Sequence, residues 1–346
     1  MTEFQNILSW DYETLLSQCT EKWSMPRFRA DQICQWIYQK KVFQFNEMTN
    51  LSKDLRKFLE EETAILPPYM IRKESSTLDS TVKFLWGLID GENVESVLLS
   101  HGNHLTACIS TQVGCPLNCS FCATGQSGFI RNLETAEITG HFLAMEKHIG
   151  KDIQNIVFMG MGEPLLNTGN LFKSIRNLNH PRMRKLGARH MTVSTAGIVP
   201  GIIELADLEI PVRLSVSLHA PNDNLRKKLM PVNQTYSLSR LMESLRTYQE
   251  KTGERITFEY LMLKDVNDLT EYAYELGALL SGLDSYINLI PYNPVDKRFT
   301  RSTKSQVKAF MEILKNLGLE VEVRKEKGTD INAACGQLRR NIPSLK

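Results

Sequence analysis

At 346 residues, with 42% hydrophobic and 23% charged side chains, the chain can bury a full-size core plus one small extra domain, and its composition is that of an ordinary globular protein. The seven cysteines are odd in number and gather around one motif, which argues against a disulfide framework and for a reducing compartment. Residues 1–16 lack the apolar core of a secretion signal and no apolar run is long enough to span a bilayer, so a cytoplasmic protein without a membrane partner is expected. The net charge of +2 says little, but basic residues concentrate at 176–189, 226–228, 297–301, 324–327 and Arg339-Arg340. On one face such clusters would replace phosphate counterions; any one of them alone reads better as a solvated loop.

In chain order, residues 1–75 read as a small helical accessory domain. Apolar residues recur at helical spacing in 7–16, 28–38 and 51–59, and Thr49-Asn50-Leu51-Ser52 looks like a helix start. Pro67-Pro68 marks its end. Residues 76–100 change period: Val82, Phe84, Trp86 and Leu88 alternate, Asp90-Gly91 turns the chain, and 94–99 returns, a β-hairpin linker. The core, 101–335, then alternates strands and helices, with strands expected at 105–111, 153–159, 191–195, 212–218, 256–263 and 286–291. Helices are expected at 134–148, 171–178, 237–251 and 270–282. Six βα units predict an α/β fold with helices outside a parallel sheet, too few for a closed eight-stranded barrel. A partial, open (βα)₆ barrel is expected; a doubly wound sheet is the alternative that pattern leaves open. Residues 336–346 form a tail.

The chemistry concentrates in Cys115-Pro-Leu-Asn-Cys119-Ser-Phe-Cys122. A structural zinc site is closed by four ligands, and a cubane cluster normally has four thiolates for its four irons. Three thiolates leave one iron open to a ligand. The spacing is similar to the signature of the radical S-adenosylmethionine (SAM) superfamily; the alternative is a zinc knuckle whose fourth ligand is a distant His or Cys. Other unusual residues also fall just after expected strands: Gly160-Met161-Gly162-Glu163-Pro164, Ser194-Thr195-Ala196-Gly197, Ser217-Leu218-His219 and Pro291-Tyr292-Asn293-Pro294. In parallel α/β folds that face hosts the active site. The Gly-x-Gly-Glu turn lets backbone approach a ligand and adds a carboxylate suited to an ammonium group. His219 reads equally as a ligand contact or a buried, hydrogen-bonded histidine. Cys19, Cys34, Cys108 and Cys335 read from composition as small core residues.

Longer stretches carry a closer likeness. Arg27-Phe28-Arg29-Ala30-Asp31-Gln32-Ile33, Cys108-Ile109-Ser110-Thr111-Gln112-Val113-Gly114-Cys115, Gly160-Met161-Gly162-Glu163-Pro164-Leu165-Leu166-Asn167, Ser217-Leu218-His219-Ala220-Pro221-Asn222-Asp223 and Asp330-Ile331-Asn332-Ala333-Ala334-Cys335-Gly336-Gln337-Leu338 resemble the RlmN/Cfr family of radical SAM RNA methyltransferases over nearly the whole chain. One departure is Ser24-Met25 before Pro26, where a glycine is expected. The resemblance implies one [4Fe-4S] cluster on Cys115, Cys119 and Cys122. It implies SAM, two per turnover, held by Gly162, Glu163, Ser194, Ser217, Leu218, His219 and Asn293. Cys335 would carry the methyl group, Cys108 would resolve the protein–RNA adduct, and Glu95 would accept a proton. The implied RNA partners are 23S rRNA and tRNA; an external flavodoxin-like or ferredoxin-like electron donor and a monomer are expected, and the sequence itself leaves the oligomeric state open. The implied reaction is methylation of adenosine C2, with C8 as the Cfr-like alternative. C2 lies on the base-pairing side of adenine, so the target would be unpaired or extruded.

Overall fold

The computed structural model describes residues 5–338; Arg339-Arg340 and the rest of the expected tail lie outside the described residues. The N-terminal region packs three helices, α1 (Tyr12–Ser17), α2 (Phe28–Cys34) and α3 (Lys53–Glu62). Asp11 caps α1 through Thr14 N–H at 2.8 Å, and Ser52 caps α3 through Leu55 N–H at 3.3 Å, where the sequence placed a helix start. Cys19 and Cys34 are fully buried among the apolar faces of these helices, as small core residues.

Tyr69 begins a sheet of ten strands. Its first four, β1 (Tyr69–Ser75), β2 (Val82–Gly87), β3 (Asn93–His101) and β4 (His104–Cys108), form an antiparallel meander. The expected hairpin is therefore the middle of a larger unit. β1 lies inside the stretch read as helical; it is an edge strand exposed on both faces, so it carries no alternation. After β4 the sheet turns parallel: β5 (Asn155–Phe158), β6 (Met191–Thr195), β7 (Arg213–Ser217), β8 (Ile256–Met262), β9 (Ser285–Pro291) and β10 (Glu320–Val323), each beside its predecessor.

That order, without a reversal, decides between the two folds left open by the sequence. A doubly wound sheet reverses its strand order at a switch point; this one winds in one direction and stays open, a partial barrel of six βα units with β10 as a closing strand. The outer helices are α4 (Thr135–Ile149), α5 (Thr168–Asn179), α6 (Val199–Ala206), α7 (Leu238–Thr252), α8 (Thr270–Leu279) and α9 (Lys304–Asn316). α4 is buried nearly all round, because the N-terminal domain covers its outer side: a Cβ on Gly140 would stand 2.9 Å from Pro68. Among the described residues no helix is long and apolar enough to cross a membrane.

One ionic knot ties the two regions together. The Glu146 carboxylate on α4, fully buried, accepts from Arg184 Nε at 2.9 Å and Nη2 at 2.5 Å, and Lys41 of the N-terminal domain stands 3.6 Å away.

Candidate active site

The parallel strands all end on one face, and the cysteine loop rises there. After β4 the chain forms a two-stranded ribbon, Gln112–Gly114 against Phe129–Asn132, which brackets the loop at its base. Gly114 holds φ +78°, and a Cβ there would strike the Gly128 carbonyl oxygen that receives Cys115 N–H at 2.9 Å. Within the loop Asn118 takes a left-handed turn and Cys122 N–H bonds Cys119 O at 3.1 Å. Outside contacts hold it: Ser120 N–H bonds Leu229 O at 2.9 Å. Ala123 N–H bonds Gly336 O at 2.8 Å, and the Thr124 hydroxyl bonds Leu338 O at 2.5 Å. The C-terminal segment thus lies directly on the cysteine loop.

Cys115, Cys119 and Cys122 are free thiols lining one cavity. Burial pushes Cys115 up to about 12 and Cys119 well above the ordinary thiol range, and neighbouring thiolates of the triad add to both shifts. Such sulfurs ionise only beside a cation, so the donor set fits a multi-iron cluster with one iron left free of protein. Among the described residues no group of three or more His, Cys, Asp or Glu is drawn around a single-ion point, so what unites the triad is a shared cavity and not a coordination geometry.

The adjacent wall is built from strand ends. After β5, Gly160 N–H bonds Ile109 O at 3.0 Å, and a Cβ on Gly160 would stand 2.7 Å from that backbone. Gly162 holds φ +104°, and a Cβ added there would stand 2.5 Å from Gln112 Cβ. Glu163 follows, buried, its carboxylate accepting from Ala196 N–H at 2.7 Å and Leu165 N–H at 3.1 Å. Burial raises its pKa to about 7 against those hydrogen bonds. It is a carboxylate placed to gain from an ammonium ligand, and among the described residues no side-chain cation pairs with it.

Ser194, Ser217, His219 and Asn293 line the same cavity. Leu218 does not: its side chain is fully buried, and its N–H bonds Glu259 O at 3.0 Å. His219 is the buried, hydrogen-bonded histidine of the two readings, and it also lines the cavity. Burial holds its pKa down to about 3, and its Nδ1 accepts Leu261 N–H at 3.0 Å, so the neutral ring carries its proton on Nε2. It sits at φ +59°, with Asn267 Nδ2 bonding its carbonyl at 2.9 Å.

Cys108, at the end of β4, and Cys335, on the C-terminal segment, line this cavity too, both as free thiols. The segment is clasped to the β1–β2 turn: Asp330 accepts from the Ser76 hydroxyl at 2.7 Å and Thr77 N–H at 2.8 Å, and Asp79 from Gly328 N–H at 2.9 Å. Glu95 is not on the cavity wall. It is buried on β3, two residues before Val97, which lines the cavity and pairs with Cys108; Lys83 Nζ stands 3.3 Å from its carboxylate.

Residues 109–277 match the sequence profile of the Radical SAM superfamily, and residues 5–65 that of the ribosomal RNA large subunit methyltransferase N-terminal domain. A relative from Petrotoga mobilis, named "Probable dual-specificity RNA methyltransferase RlmN", is 50% identical over 97% of this chain and 96% of its own. The chain belongs to the RlmN family. A Thermotoga neapolitana relative of the same name is 49% identical over 97% of both chains. The crystal structure of a radical SAM methyltransferase from Sphaerobacter thermophilus matches with a TM-score of 0.93 at 39% identity, over 97% of this chain and 99% of that one. The superfamily works with SAM and an iron–sulfur cluster, and the cavity described above has the donors for both.

In this RlmN-family chain the basic clusters divide between the two ends of the barrel. Residues 324–327 follow β10 and line the cavity, whereas 226–228 and 297–301 follow β7 and β9 without lining it. Residues 176–189 precede β6 and lie at the opposite end, where Arg184 is spent on Glu146, Arg189 pairs with Glu254 at 3.1 Å and Arg182 faces Asp31 at 3.8 Å. Two arginines that read as loop charges turn inward. Arg226 is fully buried and hydrogen-bonded to the carbonyls of Ala196 at 2.6 Å, Leu218 at 3.1 Å and Ser217 at 3.2 Å, tying β6 to β7. Arg324 lines the cavity beside Cys108 and Cys335. Helical spacing around Arg226, between Leu225 and Leu229, was the one available signal; Arg324 had none.

Proposed function

We propose that this chain is an RNA methyltransferase that places a methyl group on C2 of an adenosine in 23S rRNA and of adenosine 37 in tRNA, through a methylated cysteine. The observation that carries the reading is the meeting of Cys108, Cys335 and the cysteine triad in one cavity at the strand ends. Adenine C2 lies between two ring nitrogens and is too electron-poor to attack a sulfonium methyl directly. When bound, one cluster and two SAM per turnover supply the methyl group and a one-electron route to a hydrogen-abstracting radical.

In this reading Cys115, Cys119 and Cys122 hold the cluster. Gly162 and Glu163 take the methionine end of SAM, backbone for its close approach and carboxylate for its ammonium. Ser194, Ser217, His219 and Asn293 line the remainder, and Leu218 contributes through its backbone. Cys335 carries the methyl carbon to C2. By the family likeness Glu95, paired with Lys83, accepts the C2 proton of the adduct, a role that requires it to reach the cavity from its place behind the wall. The Cys108 thiolate then attacks the Cys335 sulfur: an S–S bond forms, the S–CH₂ bond breaks, and the freed carbon takes a proton to become the methyl group. The exposed lysines of the basic clusters after β7, β9 and β10, Lys227, Lys228, Lys297 and Lys325, hold the phosphates that flank the extruded base. The N-terminal region before Tyr69 is an accessory unit, joined through the antiparallel meander β1–β4 to the parallel part of the sheet. A cytoplasmic monomer supplied by a flavodoxin-like or ferredoxin-like donor completes the reading.

The test is chromatography and mass spectrometry of nucleosides from rRNA and tRNA treated with the reconstituted protein. 2-Methyladenosine is expected. 8-Methyladenosine would move the chain to the Cfr-like reaction, and no methylated adenosine would overturn the reading.

A further inference from the structure

Cys108 and Cys335 reach the cavity from parts of the chain far apart in sequence, and one small unit holds both. Cys108 ends β4 and pairs with Val97 of β3, so its place is set by the antiparallel ladder. Cys335 belongs to no strand or helix. The segment that carries it leaves β10, crosses to the same meander and is fastened there. The Lys327 ammonium bonds the Ser100 carbonyl on β3. Gly328 N–H bonds Asp79 Oδ2 at 2.9 Å. Asp330 accepts from the Ser76 hydroxyl at 2.7 Å, Thr77 N–H at 2.8 Å and the Thr77 hydroxyl at 3.1 Å.

The β1–β2 turn is shaped to receive this segment. Its backbone closes through Ser76 N–H to Thr81 O at 2.9 Å. Ser76 Oγ accepts Leu78 N–H at 3.1 Å and Asp79 N–H at 3.2 Å, and Asp79 Oδ1 accepts Thr81 N–H at 2.7 Å. What these side chains have left over, the Ser76 hydroxyl hydrogen and Asp79 Oδ2, goes to the segment. The packing is tight as well. Gly328 is buried at φ +62°, and a Cβ there would stand 2.7 Å from Thr81 Cγ2 and 2.8 Å from Ala333 Cβ. Ala333 N–H returns to Gly328 O at 2.9 Å, and the residues that follow, Ala334 and Cys335, line the cavity. Beyond them Gly336 O accepts Ala123 N–H at 2.8 Å. Cys335 thus stands between two fixed points, Asp330 five residues before it and Gly336 directly after it.

We propose that the meander β1–β4 is a frame that sets the approach of Cys335 to Cys108: its ladder carries one sulfur, and its β1–β2 turn, through Asp330, places the other. This rests on the exchange between Cys335 and Cys108 given above. Exposed hydrogen bonds such as those of Asp330 act here on geometry more than on overall stability. A sulfur on a flexible tether meets its partner at an effective concentration of only about millimolar, whereas groups held at the reacting distance exceed that by orders of magnitude. With Asp330 released, Cys335 is held closely from one side only. Asp330 acts through the segment and is a positioning residue.

The test is the thiol–disulfide equilibrium of the cluster-loaded protein in anaerobic glutathione buffers, read by quenching, alkylation and peptide mapping. Cys108 and Cys335 form an S–S bond, the S–S bond of glutathione disulfide breaks, and two glutathione thiols leave with the two hydrogens. The equilibrium constant measures the effective concentration of one sulfur at the other. A misplacement of about 1 Å costs a reacting pair up to about a hundredfold, so Asp330→Ala should lower the constant at least about tenfold. Gly328→Ala, which forces the segment away from Thr81, should lower it too. Asp330→Asn, which keeps an oxygen for Thr77 N–H, should recover most of the loss. Cys19 and Cys34, fully buried in the N-terminal core, stay unreactive if the variants are folded and so report misfolding in the same spectrum. A constant unchanged in folded Asp330→Ala, or lowered as far by Asp330→Asn, would overturn the proposal and leave the sulfur pair standing. No Cys108–Cys335 disulfide in the unaltered protein would remove the pair, and the proposal with it. The readout needs neither RNA nor methyl transfer, so it is independent of which carbon of adenine is methylated.

Discussion

Replacing Arg184 by Met should lower stability by about 3 kcal/mol and leave the salt dependence of RNA binding untouched. Glu146 is buried with its side chain fully covered, and Arg184 supplies its two closest charge-assisted contacts, at 2.5 and 2.9 Å. Removing one member of a buried pair costs roughly 3–5 kcal/mol, because the remaining charge stays buried. Lys41, 3.6 Å away, and Ile153 N–H, at 2.7 Å, still support the carboxylate, so the lower end applies. For 346 residues, at about 2.1 cal/mol/K of unfolding entropy each, that corresponds to a fall in Tm of about 4 °C. Thermal melting by calorimetry measures this, and a salt titration of RNA binding measures the other half. Each phosphate contact contributes about 0.7–0.9 to the log–log slope. A variant with unchanged Tm and a slope flattened by about that amount would return the 176–189 loop to the RNA and refute its assignment to the knot between domains.

Three further outcomes follow from the cavity. Gly162→Ala should weaken SAM binding at least tenfold by calorimetry, since φ +104° and a Cβ 2.5 Å from Gln112 force the turn to move; unchanged affinity would refute the close packing. Glu163 has its pKa raised from 4.5 to about 7, so its neutral form favours the unliganded fold below the ordinary carboxyl range, and that contribution is lost as pH rises through about 7. An ammonium ligand needs the ionised form, so SAM affinity should climb as pH rises through about 7 and Glu163→Gln should flatten the climb; identical profiles would remove Glu163 from the ammonium site. Cys108→Ala should accumulate a covalent protein–RNA species linked through Cys335, seen as a shifted band on a denaturing gel, and normal turnover without that band would make Cys108 a packing residue.

The strand ends were the most legible part of the molecule. Strands β5 to β9 are short and rich in apolar and β-branched residues, and unusual Gly, Ser and Pro turns follow them, so the turns carrying Gly162, Glu163, Ser194, Ser217 and Asn293 could be placed from the sequence. β1 and β10 were not legible. β1 is exposed on both faces, and β10 is four residues of alternating Glu and Val whose register comes from pairing with β9. Charge was the hardest property to read. Arg184, Arg226 and Arg324 all sit in basic runs that look solvated; which way each turns depends on Glu146, Ala196 and Glu259, residues remote in sequence. No local pattern encodes a partner supplied by another part of the chain.

The bonds from the cysteine loop to the C-terminal segment also set an order of assembly. Thr124 and its acceptor Leu338 are 214 residues apart in the chain. At about 5–20 residues per second of synthesis, the triad leaves the ribosome roughly ten to forty seconds before the segment that will cover it. During that interval the loop has neither Gly336 nor Leu338 against it, and Cys335 does not yet exist. Iron and sulfide delivered then meet an unroofed site, whereas delivery to the finished chain must pass a lid clasped by Asp79 and Asp330. On the proposed assignment of the triad as cluster ligands, that site is most approachable while the chain is still being made.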